Sequence, residues 1–487
     1  MMGTTRRRLL GNSSLFLLSL AAGPVRAAPP AVERCDVVVI GAGLAGLNAA
    51  TILADLGARA IVLEAQDKPG GRLHTLRTPD GHFDCGATTI GPEYGRVRAL
   101  AERFGVELVA PHRRGGMAWA INGASGNGAD WATSPANRTH GDERAIAIAQ
   151  LEVAMINRFG KLPAPDAWRD AEFARWDIPL DRFFRECGLS EEAIRLIGIT
   201  SNCETLETTS ALFQMKELQS ISAWGKEGGG QKNSVYEAGT GEFHYIAGGS
   251  DRLPEAIAQG LGVPVRCGTA VAAIDMDGGG CTVTCANGSR IACDYVISAV
   301  PLGALSRIAI SPRPTGLRAE SIDDALYMGT SHFFFAVTAP YWERDGLEPG
   351  LVTDAAIERV FANKGTSGAV EWLDVWMNGA GTLRFDALPP DQALAAVTEE
   401  LLRIRPAMAG AIRPIGQHSW RRNPFIGGNK HIFRPGQVSR FGAAIADPWQ
   451  RLHFAGEHTR DVEPGMEAAA ATGERAALEV LERMGKA

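Results

Sequence analysis

Residues 35–75 constrain this chain more than any other stretch, because strand, glycine turn, helix, strand and acidic residue follow in the order of a dinucleotide-binding unit. Val37, Val38, Val39 and Ile40 form a β-branched run too short for a helix and bounded by glycine, which reads as a strand buried on both faces. Gly41, Gly43 and Gly46 then fall in the GxGxxG spacing. The first glycine permits a tight turn, the second lets backbone approach a pyrophosphate, and the third lets the next helix pack on the strand. That helix is expected over residues 44–56, with Gly57 ending it and its unpaired N–H groups directed at phosphate. A second strand over 60–63 ends at Glu64, where a carboxylate can accept hydrogen bonds from ribose hydroxyls, so NAD or FAD is expected rather than NADP.

Gly70-Gly71-Arg72 follows the acid by a few positions, and this resembles the signature of the flavin-containing amine oxidase family, which includes monoamine, polyamine and L-amino-acid oxidases. The resemblance implies FAD, with Arg72 meeting the pyrophosphate through its planar guanidinium. It implies an α/β fold of two domains, a Rossmann-like FAD-binding domain and an α+β substrate domain. Further motifs carry the likeness across the chain. Asp84-Cys85-Gly86-Ala87-Thr88 resembles a turn that lies against the flavin in relatives, and a helix is expected over 97–104. Gly248-Gly249 precedes a strand expected over 265–274, with Val271 on the adenine side. Phe454-Ala455-Gly456-Glu457 resembles the C-terminal FAD signature, with Glu457 near the ribityl or phosphate. The small-residue helix that follows, near 465–484, would turn its N-terminus at Gly465 and Met466 toward the flavin pyrimidine edge, where a positive dipole end favours the negative charge of the reduced ring. Ala45 and Ala65 complete the implied cofactor contacts.

The segments divide as 1–27 signal peptide, 34–112, 239–315 and 426–487 FAD-binding, and 113–238 (helical) with 316–425 (sheet) forming the substrate domain. Helices are expected over 145–159, 180–187, 191–199, 208–221, 251–260 and 391–404. Strand-like runs cover 327–342, 352–361, 371–377 and 383–385, and Asn287-Gly288 signals a type I′ hairpin between 281–285 and 289–293. Gly228-Gly229-Gly230 reads as a surface loop. A chain of 487 residues exceeds one compact core, and a net charge of −6 without a basic block excludes nucleic acid as an expected partner. At the N-terminus, Arg6-Arg7-Arg8, a short apolar run and a small-residue site at residues 25–27 match a twin-arginine export signal, which predicts a periplasmic protein without a permanent membrane anchor. The eight cysteines show no metal-ligand spacing, and no metal is expected.

The flavin would take a hydride from the carbon beside an amine, with dioxygen or a periplasmic carrier as final acceptor, and a homodimer is one assembly compatible with the resemblance. Three positions depart from the family. A lysine that relatives hold near flavin N5 falls at His332, which could act as a base near neutral pH. Asn429 stands where some relatives carry a flavin-linking cysteine, so FAD is expected to be non-covalent. The monoamine-oxidase aromatic cage falls at Lys430 and at Gly465 or Met466. An inward Lys430 would attract a carboxylate or phenolate. Trp420, His332 and Lys430 are the candidates around the reacting carbon, with Trp420 also against the cofactor. The competing readings are a flavin dehydrogenase or desaturase acting on a C–C or C–O bond, and a flavin-binding protein without catalysis.

Overall fold

Because the first strand is apolar throughout, it has to be covered on both faces, and it becomes the middle of a parallel sheet. In the computed structural model, which describes residues 32–112, 114–224 and 243–486, five parallel strands run in the order Val265–Arg266, Ala60–Leu63, Val37–Ile40, Tyr295–Ser298 and Leu452–Phe454. Their residues come from three distant parts of the chain, joined in one register. The helix Leu44–Asp55 lies on this sheet, and the C-terminal helix Gly465–Arg483 packs on that helix. A Cβ at Gly473 would come within 2.2 Å of the Ala45 carbonyl oxygen, so bare backbone is what lets the two helices approach so closely. Beside this unit, Val271–Asp277, Gly280–Cys285 and Arg290–Cys293 form an antiparallel meander edged by Glu33–Arg34 and Ala309–Ser311.

A second body is built on a seven-stranded sheet ordered Ile412–Ser419, Thr330–Val337, Val370–Asn378, Arg359–Lys364, Gly350–Thr353, Met117–Ile121 and Ala124–Asn127. Alternation along its strands divides the two faces. Phe333 and Phe335 enter an apolar core with Val397 and Leu401 of the helix Pro390–Ile404, whereas His332 and Phe334 face the other way. Helices Leu151–Phe159, Leu180–Glu186, Glu191–Thr200 and Ala211–Trp224 join this body.

Several expectations need correction. The segment 113–238 is not wholly helical, since two strands near its start complete the large sheet. The helix expected from 145 begins at Leu151, after two short 3₁₀ turns. Residues 265–274 are two strands in different sheets, parted by a turn with Gly268 at φ +64°. Leu383–Asp386 is a helical turn, which follows from Gly379 at φ +54° breaking the preceding strand. The hairpin at Asn287-Gly288 is not type I′: only Gly288 has positive φ, and Cys285 N–H bonds Ser289 across a wider loop. The expected export signal and the loop at Gly228 lie outside the described residues.

Candidate active site

The glycine turn and the sheet edge above it open into a cavity lined by Gly41, Gly43, Ala45, Glu64, Ala65, Gly71, Arg72, Val271 and Gly456. Gly43 shows why the spacing matters. A Cβ there would touch nothing in the protein closer than 3.8 Å, yet it would project into the cavity, so the space is kept for a ligand. Opposite it, a Cβ on Gly71 would stand 3.3 Å from the Gly43 Cα. Gly46 does not line the cavity. Its Cβ would fall 2.0 Å from the Gly41 carbonyl oxygen, which is the close helix–strand packing expected of the third glycine. Glu64 is buried, and its two oxygens accept the N–H groups of Ala42 (2.7 Å) and Gln66 (2.9 Å). Burial raises its pKa against the pull of those bonds, and the carboxylate is locked in one orientation on the cavity wall. Bare backbone facing an acid across a helix N-terminus fits the pyrophosphate and ribose of a dinucleotide.

At the next position along the cavity, Arg72 Nη1 donates to Glu457 Oε1 (2.6 Å) and to the Asn429 carbonyl (3.0 Å). Glu457 also receives Arg460 and the His431 N–H, Arg460 reaches on to Glu217, and Glu217 pairs with Lys430. The result is one alternating chain of charge, Arg72, Glu457, Arg460, Glu217, Lys430. Burial alone would raise the pKa of Glu457, but Arg72 and Arg460 outweigh it and hold the carboxyl well below the usual range. Burial likewise opposes ionisation of Glu217, and Arg460 with Lys430 bring it down to about 2. Lys430 is therefore no isolated cation: its charge is answered by Glu217, and its expected pull on a substrate anion is corrected accordingly.

Gly86 and Trp420 meet as the motifs implied. A Cβ on Gly86 would come 2.0 Å from the Arg72 carbonyl oxygen and 2.8 Å from the Trp420 ring, and the indole N–H, 2.5 Å from the Cys85 carbonyl, fixes that ring. Ala87 N–H bonds the Arg72 carbonyl at 3.2 Å, and Thr88 continues the same turn, half-buried. At the N-terminus of the last helix Gly465 has φ +52° and Met466 is buried. The direction a side chain at 465 would take is filled by the Tyr94 hydroxyl, 2.8 Å from where its Cβ would stand. An aromatic residue does occupy this place, supplied by the turn before the helix Gly95–Arg103.

On the large sheet, His332 lies opposite Trp376 on one side and His418 on the other. Its Nδ1 stands 3.0 and 3.1 Å from the two oxygens of buried Asp374, and its ring stacks on Phe334 (5.9 Å, 8° between planes) and leans on Trp376 (4.8 Å). Asp374 thus commits Nδ1 and leaves Nε2 as the nitrogen that can exchange a proton. Trp420 adjoins this row: its backbone N–H donates to the Thr330 carbonyl at 3.0 Å, and its ring lies edge-on to His418 at 4.6 Å. Lys430 belongs to a separate two-stranded ladder with Leu326–Met328. Asp374, Glu217, Arg460 and Tyr94 had no signal in the sequence reading.

The chain matches the family described as flavin containing amine oxidoreductase over residues 44–481. It is 26% identical over 460 residues to an amine oxidase [flavin-containing] of Danio rerio, covering 93% of this chain and 86% of that one. With amine oxidase [flavin-containing] B of Homo sapiens it shares 25% over 466 residues, 93% of this chain and 87% of the relative. In fold it resembles putrescine oxidase bound to putrescine (TM-score 0.74, 20% identity, 93% of this chain and 100% of that one). A similar likeness holds to cyclohexylamine oxidase from Brevibacterium oxydans (TM-score 0.73, 20% identity, 93% and 99%).

Proposed function

The chain belongs to the flavin-containing amine oxidoreductase family, its cofactor is FAD, and we propose that it oxidises an amine at a site walled by the FAD cradle and by the His332–Asp374 pair. When bound, FAD supplies the redox chemistry by accepting a hydride at N5 from the carbon beside the amine nitrogen. Gly43, Gly71 and the helix N-terminus would hold its pyrophosphate with Arg72, and Glu64 would hold its ribose. Trp420 and Gly86 set the wall against which the ring would lie. Asn429 offers no thiol, in keeping with non-covalent attachment.

An amine reaches the site mostly as ammonium, and its lone pair has to be freed before hydride can leave. His332 Nε2 accepts that proton, while Asp374 holds the ring tautomer and balances the imidazolium that forms. The apolar stack of Phe334 and Trp376 keeps water from the pair and favours the neutral amine by desolvation. The imine product then hydrolyses to an aldehyde or ketone.

The observation that carries this reading is a dinucleotide cradle whose Arg72–Gly86–Trp420 edge adjoins, through His418, the strand that bears the buried His332–Asp374 pair, in a chain of this family. Anaerobic bleaching of flavin absorbance near ~450 nm tests it. Bleaching by amines and not by matched alcohols or alkanes supports it. Bleaching by nitrogen-free compounds alone would make the protein a dehydrogenase of C–C or C–O bonds. We further infer export to the periplasm, supported by the N-terminal Arg6-Arg7-Arg8 pattern, with dioxygen or a periplasmic carrier as electron acceptor. Mass measurement of the mature N-terminus would show cleavage after residue 27, and an uncleaved cytoplasmic chain would refute it.

A further inference from the structure

Arg359 opens the strand Arg359–Lys364 directly opposite Trp376, which itself lies opposite His332, so the three stand in a row on one face of the sheet. Two strand spacings put the ends of the row about 10 Å apart at Cα. The residue is only 8% exposed. Nη1 donates to the Thr200 carbonyl at 3.0 Å, at the end of the helix Glu191–Thr200. Nε and Nη2 are both buried, and neither has a hydrogen-bond partner among the described residues. These two nitrogens share one edge of the guanidinium, the edge that takes the two oxygens of a carboxylate through parallel bonds.

The neighbouring acids are committed elsewhere. Glu152 accepts from the Ser201 hydroxyl at 2.9 Å, Asp374 is engaged by His332, and Glu358 accepts the Asn378 N–H at 3.0 Å. Burial holds Glu152 and Glu358 toward their neutral forms, and none of these acids hydrogen-bonds the Nε–Nη2 edge of the guanidinium. Between Arg359 and His332 lies the Trp376 indole, 5.7 Å from the Arg359 Cζ and 4.8 Å from the His332 ring.

We propose that Arg359 is a carboxylate subsite, and that the preferred substrate is an amine whose carboxylate is held across the Trp376 indole from the reacting carbon. An α-amino acid does not meet this spacing, because its carboxylate is bonded to the reacting carbon itself. An ω-amino acid, or an aryl amine with a distal acid, does. The inference rests on the amine reading of the site and specifies its substrate class.

The test compares hexylamine with its ω-carboxylated counterpart and with norleucine in anaerobic flavin reduction, and titrates hexanoate against the oxidised holoenzyme by difference absorbance. The carboxylated amine is expected to show a KM at least about 10-fold lower than hexylamine, and Arg359→Met is expected to erase that advantage by raising the KM of the carboxylated amine far more than that of hexylamine. Hexanoate should perturb the wild-type spectrum and not that of the variant. If Arg359→Met fails to retain FAD, Arg359→Lys keeps the charge without the fork and should lose most of the preference. Equal KM values for the matched amines, norleucine as the best substrate, or equal loss on both amines in either variant would overturn the subsite. If no amine reduces the flavin, the amine reading fails, and hexanoate binding that depends on Arg359 still decides the subsite.

Discussion

The two walls of the site are made from opposite materials. The cofactor wall is mostly main chain: Gly43, Gly71 and Gly86 strip side chains away so that backbone can meet a ligand or a neighbouring ring. The sheet wall is all side chain, a row of Arg359, Trp376, His332 and His418 whose order is set by strand register. The first kind of wall tolerates almost no substitution because space is its function. The second can change chemistry one residue at a time, because each side chain in the row can be exchanged without altering the strand register.

That contrast can be broken by experiment. Gly43→Val should have the largest effect, a folded protein that no longer retains FAD, since the residue lines the cavity and its Cβ would meet no protein atom closer than 3.8 Å. Normal flavin content by absorbance would refute the cradle. His332→Ala should keep full FAD content and slow anaerobic flavin reduction by about 10² to 10⁴, the usual worth of a positioned base. Asp374→Asn should slow it less and move the pH profile, and identical profiles would remove Asp374 from the mechanism. Glu457→Gln leaves Arg72 and Arg460 without their shared acid, and should cost about 3 kcal/mol in urea unfolding. Lys430→Met should be mildest, under about 1 kcal/mol, because Glu217 keeps Arg460.

Burial acts on histidines of both walls, and His418 of the sheet row is pulled down to about 3. Burial pulls His431 down to about 4 and His458 to about 3, below the values they regain when unfolded. The unfolded chain therefore takes up protons first, and stability falls as pH drops from about 6.5. The contribution of Glu457, whose folded pKa is depressed, is complete above about pH 4.5 and is lost only below that. Urea midpoints should decline between pH 7 and 5, and His458→Phe should flatten the decline. A flat wild-type profile would contradict the buried neutral state.

What could be read in advance follows the same division. The glycines, Glu64 and Arg72 were legible because their geometry is local: a turn, a helix start and an acid at a fixed offset. Gly86, Trp420 and Gly456 were singled out through motif likeness; Gly456 lines the cavity, and Gly86 packs against Trp420. His332 was singled out by likeness to the position of a family lysine, but its partner could not be. Asp374 reaches it only through the pairing of strands some forty residues apart, and nothing near Asp374 in the chain announces that register. Lys430 was misread for the same reason, since Glu217 arrives from a helix more than two hundred residues earlier. Tyr94 fills the space beside Gly465 from a turn more than three hundred residues earlier, a proximity that no local pattern announces.

The packing of the helix Gly465–Arg483 on the helix Leu44–Asp55 carries a consequence for biosynthesis. Asn48 bonds the Ala470 carbonyl at 2.8 Å, and Gly473 rests against Ala45, so the nucleotide motif is finished by a helix translated some four hundred residues later. The parallel sheet also waits for Leu452–Phe454 at its edge. A nascent chain that ends before Leu452 would lack both the edge strand and the helix that pack on the first nucleotide motif, so a closed cradle requires chain segments made at opposite ends of synthesis.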